Sequence, residues 1–193
     1  MNKKSILILI SVFILPFFNG IAYAEGGPWT GNVNLFLGSK ALNTNDWSPV
    51  ETQGEVAVEW DFRERSWPIN ILLGLRSSDK TTSQGGIDFE GKTSEFSLGV
   101  RKYWDFPPYN IHPYLGGGFS DINAEITASV PGNSASLSGS GLGTWFGGGV
   151  VWVLGNHFNI GFDLRASSAS VTMGGISGNA GGGHAGLLLG YHY

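Results

Sequence analysis

Residues 55–62 read Glu-Val-Ala-Val-Glu-Trp-Asp-Phe. Alternate positions form two sets: Val56, Val58, Trp60 and Phe62 on one side, Glu55, Ala57, Glu59 and Asp61 on the other. A period of two marks a β-strand whose faces meet unlike surroundings. The same alternation recurs along the chain and predicts eight strands, at residues 29–38, 53–62, 68–77, 93–104, 111–122, 142–154, 157–166 and 182–193. Short connections (63–67, 105–110, 155–156) alternate with long polar ones (39–52, 78–92, 123–141, 167–181). An even number of antiparallel strands, with tight turns at one rim and long connections at the other, predicts an all-β, up-and-down barrel that closes without an edge.

Residues 1–24 read as a secretory signal peptide. Lys3 and Lys4 begin it, an apolar run covers 6–18, and Ala22-Tyr23-Ala24 is a small-x-small cleavage motif. Residues 25–193 are then expected to form one barrel domain. Loss of Lys3 and Lys4 would make the formal charge two units more negative than −4, which argues against a nucleic-acid partner. There is no cysteine, so thiol-based metal, redox or nucleophilic chemistry is excluded. The later apolar runs are of strand length, too short for a helical span.

Alternation does not say which face is outside. A soluble barrel of the lipocalin or avidin type would put the apolar face inside. Three features favour the reverse, a transmembrane barrel. Aromatics gather at the short-turn rim: Trp60, Phe62, Trp67, Trp104, Phe106, Trp152, Phe158, Tyr191 and Tyr193, as in the girdle at a membrane interface. The polar face is rich in glycine and small residues. Its charges, Glu55, Glu59, Asp61, Arg76, Glu95, Arg101, Asp163 and Arg165, are mixed in sign and fall where strand register pairs them. Arg76 is expected beside Glu95, close to Glu55, and Arg101 across from Tyr114. A charge in a narrow lumen must be paired or wet.

With its four hairpins, its signal sequence and a last strand GGGHAGLLLGYHY (181–193), the chain resembles the small eight-stranded outer-membrane barrels of Gram-negative bacteria, of the OmpA-like and OmpW-like kind. The resemblance implies short periplasmic turns, long extracellular loops, and outer-membrane lipid and lipopolysaccharide as surroundings. Leu187, Leu189, Tyr191 and Tyr193 look like the C-terminal signal shown to the barrel-assembly machinery, with periplasmic chaperones as earlier partners. The usual last residue is Phe, and here it is Tyr193. The implied role is a non-enzymatic scaffold with a filled lumen and little conductance. Phe36, Leu72, Tyr103, Tyr114, Trp145, Val151, Val153 and Leu188 fall on the inward face and would fill it. The OmpW likeness suggests a second role, transport of small hydrophobic solutes, with Phe36 and Trp145 as a candidate apolar pocket. Adhesion or recognition of an extracellular ligand through the long loops is a third.

No catalytic, cofactor or metal site is expected. Lipid A deacylases of this size place His two residues before Ser, and none of His112, His157, His184 and His192 has Ser at that position. His184 and His192 share a strand face but stand roughly 26 Å apart. The facing assignment is checked by purification. The chain without residues 1–24 is expected to fold only with detergent or lipid, and a folded, monodisperse monomer in plain buffer would turn the barrel inside out.

Overall fold

The computed structural model describes residues 27–155 and 157–193; the signal peptide read at 1–24 lies outside them. The strands are β1 (Trp29–Ala41), β2 (Thr52–Glu64), β3 (Asn70–Gln84), β4 (Ile87–Tyr103), β5 (Ile111–Val130), β6 (Asn133–Leu154), β7 (Phe158–Met173), β8 (Ile176–Asn179) and β9 (Gly182–His192). A four-residue helix, α1 (Thr44–Trp47), lies between β1 and β2. All pairings are antiparallel. β1 pairs with both β2 and β9, and β7 with both β6 and β9, so eight strands close into a ring. β8 pairs only with the tip of β7.

The outer face is apolar. In register, Leu35 meets Val58 and Leu189, Leu73 meets Trp60 and Leu98, and Phe162 meets Val150 and Leu187. Leu75 is 59% exposed and Phe119 72%, while Glu59 and Asp61 are 0% exposed. Large apolar groups turned out and charges turned in suit a barrel whose solvent is hydrocarbon.

Three of the four long connections are not irregular loops. β3 and β4 run on through most of 78–92, β5 and β6 through 123–141, and β7 and β8 through most of 167–181. Two-residue turns join them. Gly85-Gly86 and Gly174-Gly175 have positive φ at both positions, the backbone that suits the twist of a hairpin and that only glycine adopts cheaply. Pro131-Gly132 joins β5 to β6, with Gly132 at φ 84°.

The reason these strands read as loops is physical. Up β7, outward residues go from Phe162 and Leu164 to Ser168, Ser170 and Thr172. Inward residues go from Asp163 and Arg165 to Val171 and Met173. On β5 the outward face passes from Phe119 to Asp121, Asn123 and Glu125 as the inward face turns to Ile122 and Ala124. The barrel wall leaves hydrocarbon for water, and the pattern inverts. Above that level the barrel obeys the rule of a soluble one, apolar inside and polar outside.

The facing makes a direct comparison. Leu73 looks outward and Leu72 is fully buried in the lumen. Leu73→Arg is expected to lower the unfolding free energy in liposomes by about 2–4 kcal/mol. Leu72→Arg acts instead through lumen packing and ion pairing, so equal losses in the two denaturant titrations would contradict the facing.

Candidate functional site

Below the inversion, the lumen is a stack of ion pairs. At the short-turn end Asp61 accepts from Asn32 (2.9 Å), Asn70 (2.7 Å), the Tyr103 hydroxyl (2.8 Å) and Arg101 (3.2 Å). One step up, Glu59 takes Arg101 at 2.7 Å and also bonds Arg76. Arg76 stands 3.5 Å from Glu55 and 3.6 Å from Asp163, and Asp163 accepts from the Tyr114 hydroxyl at 2.6 Å. Higher still, Arg165 pairs with Glu95 and donates to Ser97 at 2.7 Å. All eight charges named from the sequence are buried here.

The ion pairs run diagonally or across the lumen rather than along direct register. Arg76 lies directly across from Glu95, yet its ion pairs go to Glu55, Glu59 and Asp163. Glu55 pairs with Ser78 rather than with Arg76, one step diagonal. Arg101 is across from Gly116, which has no side chain, and so reaches Tyr114 with its guanidinium 4.3 Å from the ring centroid.

Each of the three buried arginines has an aromatic plate: Arg76 over Phe36 (4.6 Å), Arg101 over Tyr114 (4.3 Å) and Arg165 over Trp145 (4.2 Å). Cation–π stacking lets a dehydrated guanidinium lie against an apolar surface. Phe36 and Trp145, named from sequence both as lumen filling and as a candidate apolar pocket, lie under two of these arginines. The two aromatics are 0% and 5% exposed. Glycines make their room. A Cβ on Gly38 would stand 2.6 Å from the Phe36 ring, and one on Gly99 2.6 Å from the Trp145 ring.

Sequence reasoning missed two members of the lumen. Lys40, read as part of a loop, is 1% exposed and donates to Thr93 at 2.9 Å. His184, placed on the inward face but given no role, has Nδ1 2.9 Å from both Glu55 oxygens and Nε2 2.9 Å from Ser167 Oγ. Register could have found both: Lys40 and His184 are directly paired across β1 and β9.

Above these polar groups is an apolar compartment. Leu42, Trp47, Val50, Ile122, Ala124, Ala169, Val171, Met173 and Ala180 pack together, with Phe89 and Ile126 against them. The segment between β1 and β2, which carries α1, closes it. At the other end is a funnel of about 590 Å³, walled in part by Arg63, Arg65, Asn70, Tyr103, His112 and His192.

The aromatics named for the girdle lie at the short-turn rim. Trp67, Trp104, Phe106, Trp152, Phe158 and Tyr191 are exposed. Trp60 and Phe62 lean on each other at 4.6 Å, and the Trp60 Nε1 donates to the Tyr193 hydroxyl at 2.7 Å. Trp29 joins them, 5.6 Å from Trp67; it was read only as the start of a strand. Leu187, Leu189 and Tyr191 face outward on β9, and Tyr193 exchanges backbone bonds with Gly31.

Glu59 holds the stack together, since it is shared by two guanidinium groups. Glu59→Gln keeps the shape and removes the charge. Breaking a buried pair strands a charge, so the variant is expected to lose about 3 kcal/mol of unfolding free energy. Glu90→Gln, which breaks the more exposed Lys92–Glu90 pair (2.6 Å), should lose less than about 1 kcal/mol. Denaturant unfolding in micelles compares the two.

No family model matches the sequence, and no curated protein matches it. Solved structures match its fold. Neisserial surface protein A, 13% identical, aligns over 87% of this chain and 97% of its own, with a TM-score of 0.52. Ail of Yersinia pestis, in its complex with the heparin analogue sucrose octasulfate, is 12% identical over 86% of this chain and 100% of its own, TM-score 0.56. OprG of Pseudomonas aeruginosa is 11% identical over 85% and 95%, TM-score 0.59. At such identities the likeness is one of fold, and it agrees with the apolar outer wall found here: the chain folds as a small eight-stranded β-barrel similar to those of these outer-membrane proteins.

Proposed function

We propose that this protein is a sealed barrel that presents its extracellular rim and conducts little or nothing. The observation that carries this reading is the lumen itself. Three guanidinium groups with their carboxylates and aromatic plates cross it, and Trp47 and Val50 fill its extracellular end. Eight strands leave room for side chains and little else. Lipopolysaccharide and outer-membrane lipid surround the wall, and the barrel-assembly machinery receives β9 during insertion.

The rim narrows what the barrel presents. Ile87, Val130, Leu137 and Ile176 are exposed near the hairpin tips. The charges of the upper strands include Asp79, Asp88, Glu90 and Glu125 against Lys80 and Lys92. Ail was solved with a polysulfated sugar, but this rim has no excess of cations, so a mixed apolar and polar partner fits it better than a polyanion.

A second reading, carriage of a small hydrophobic solute, is favoured by the apolar compartment above Lys40 and His184. Planar-bilayer recording tests the first reading. The expected trace is flat, and a large stable open level would overturn it. Co-purification of an apolar molecule in the upper compartment would favour the second.

A further inference from the structure

Three strands bring a serine, a histidine and a carboxylate into line where the charged lumen meets the apolar compartment: Ser167 of β7, His184 of β9 and Glu55 of β2. The hydrogen-bond order is fixed by chemistry. An ionised carboxylate only accepts, so His184 Nδ1 carries the proton toward Glu55. Nε2 is then the free lone pair, and the Ser167 hydroxyl donates to it across 2.9 Å. That is the order of a nucleophile, its base and the acid that orients the base. Glu55 is also held by Arg76 at 3.5 Å. The Gly182 N–H donates to Ser167 Oγ at 3.3 Å, a backbone donor beside the atom that would react.

The surroundings point to a substrate class. Ser167 is 8% exposed and His184 2%, so a substrate would have to arrive from the extracellular side. There the next inward residues of β7 are Ala169, Val171 and Met173, and Ile122 and Ala180 stand nearby. This is an apolar chamber with a polar floor. Its filling comes from the segment joining β1 to β2, through Trp47 and Val50. Few bonds fasten that segment. Trp47 Nε1 donates to the Asn179 carbonyl at 2.8 Å, and the Asn179 N–H donates to Asp46 at 3.0 Å. Asn179 also accepts from the N–H groups of Ala169 and Gly181, so the latch touches the strand that carries the serine.

We propose that Ser167 is a nucleophile toward long-chain acyl esters, with His184 as base and Glu55 orienting it, and that lifting residues 42–51 opens the chamber to the acyl chain. Ser167 Oγ bonds to the carbonyl carbon as its proton passes to His184 Nε2. The ester C–O bond breaks, and the departing alcohol takes that proton. Water then attacks the acyl-serine and gives a proton to His184. The C–O bond to Ser167 breaks, the fatty acid leaves, and the proton returns to Ser167. This departs from the expectation of a non-enzymatic barrel, and it stands whether or not the barrel conducts.

The test uses the folded chain in lipid vesicles and a fluorophosphonate with a long alkyl tail. Intact mass and peptide mapping should show one adduct, on Ser167. Ser167→Ala should abolish it, and His184→Gln should slow it by about 100-fold. Trp47→Ala, which removes the filling and half the latch, should speed it. The same samples should release fatty acid from p-nitrophenyl palmitate only where Ser167 is intact. If wild-type and Trp47→Ala proteins, both folded by their unheated gel mobility, take no adduct, the proposal fails. It fails equally if the adduct survives Ser167→Ala.

Discussion

A charge cannot be left alone in a barrel whose wall stands in hydrocarbon. That constraint arranges most of this molecule. The apolar half of each strand belongs outside, so the polar half is forced into a space the width of a few side chains. There each ion needs a counter-ion and each guanidinium a surface to lie on. Glu59 serves two arginines, and Phe36, Tyr114 and Trp145 serve as plates. The glycines follow from this need, because a ring the size of Trp145 lies flat only where Gly99 has no side chain. Such a network is weak as a source of net stability. Its value is that alternative registers would leave charges unpaired.

The same constraint ends where the hydrocarbon ends. Along β5 and β7 the inward face turns apolar at the level where the outward face turns polar. One strand thus follows the rule of a membrane barrel below and of a soluble barrel above. Lys40, Thr93, Ser167 and His184 occupy the seam. They face charge on one side and apolar packing on the other, which is where buried polar groups must satisfy one another across strands.

This inversion also sets what could be read from the sequence. The lower barrel was legible because alternation, aromatics and charge signs agree there. Arg76 beside Glu95 followed from counting residues across a hairpin. The upper strands were not legible, because residues such as Ser78–Lys92 carry little apolar signal and their pairing comes from backbone bonds. The clue was in the turns, since Gly85-Gly86 and Gly174-Gly175 are two-residue hairpin signatures. Phe36 and Trp145 were placed inside, as lumen filling and as a candidate pocket, but their stacking on arginines was not legible. Composition shows an aromatic facing inward but not the arginine, forty residues away for Phe36 and twenty for Trp145, that stacks on it. The line of Ser167, His184 and Glu55 needed closure of the ring, because no local spacing joins residue 55 to residue 184.

Whether the seam can do more than satisfy itself depends on the segment that covers it. Burying Trp47, Val50 and Leu42 contributes about 2 kcal/mol each. The two latch bonds to Asn179 add about 1 kcal/mol apiece. Against this, releasing about ten residues returns on the order of 1 kcal/mol each in backbone freedom. The terms nearly cancel, so opening lies within a few kcal/mol of the closed state. Such a segment opens locally while the barrel stays intact. The β-ladder below it has no such freedom, since each strand there is bonded on both sides. A weakly fastened segment therefore sits over the line of Ser167, His184 and Glu55.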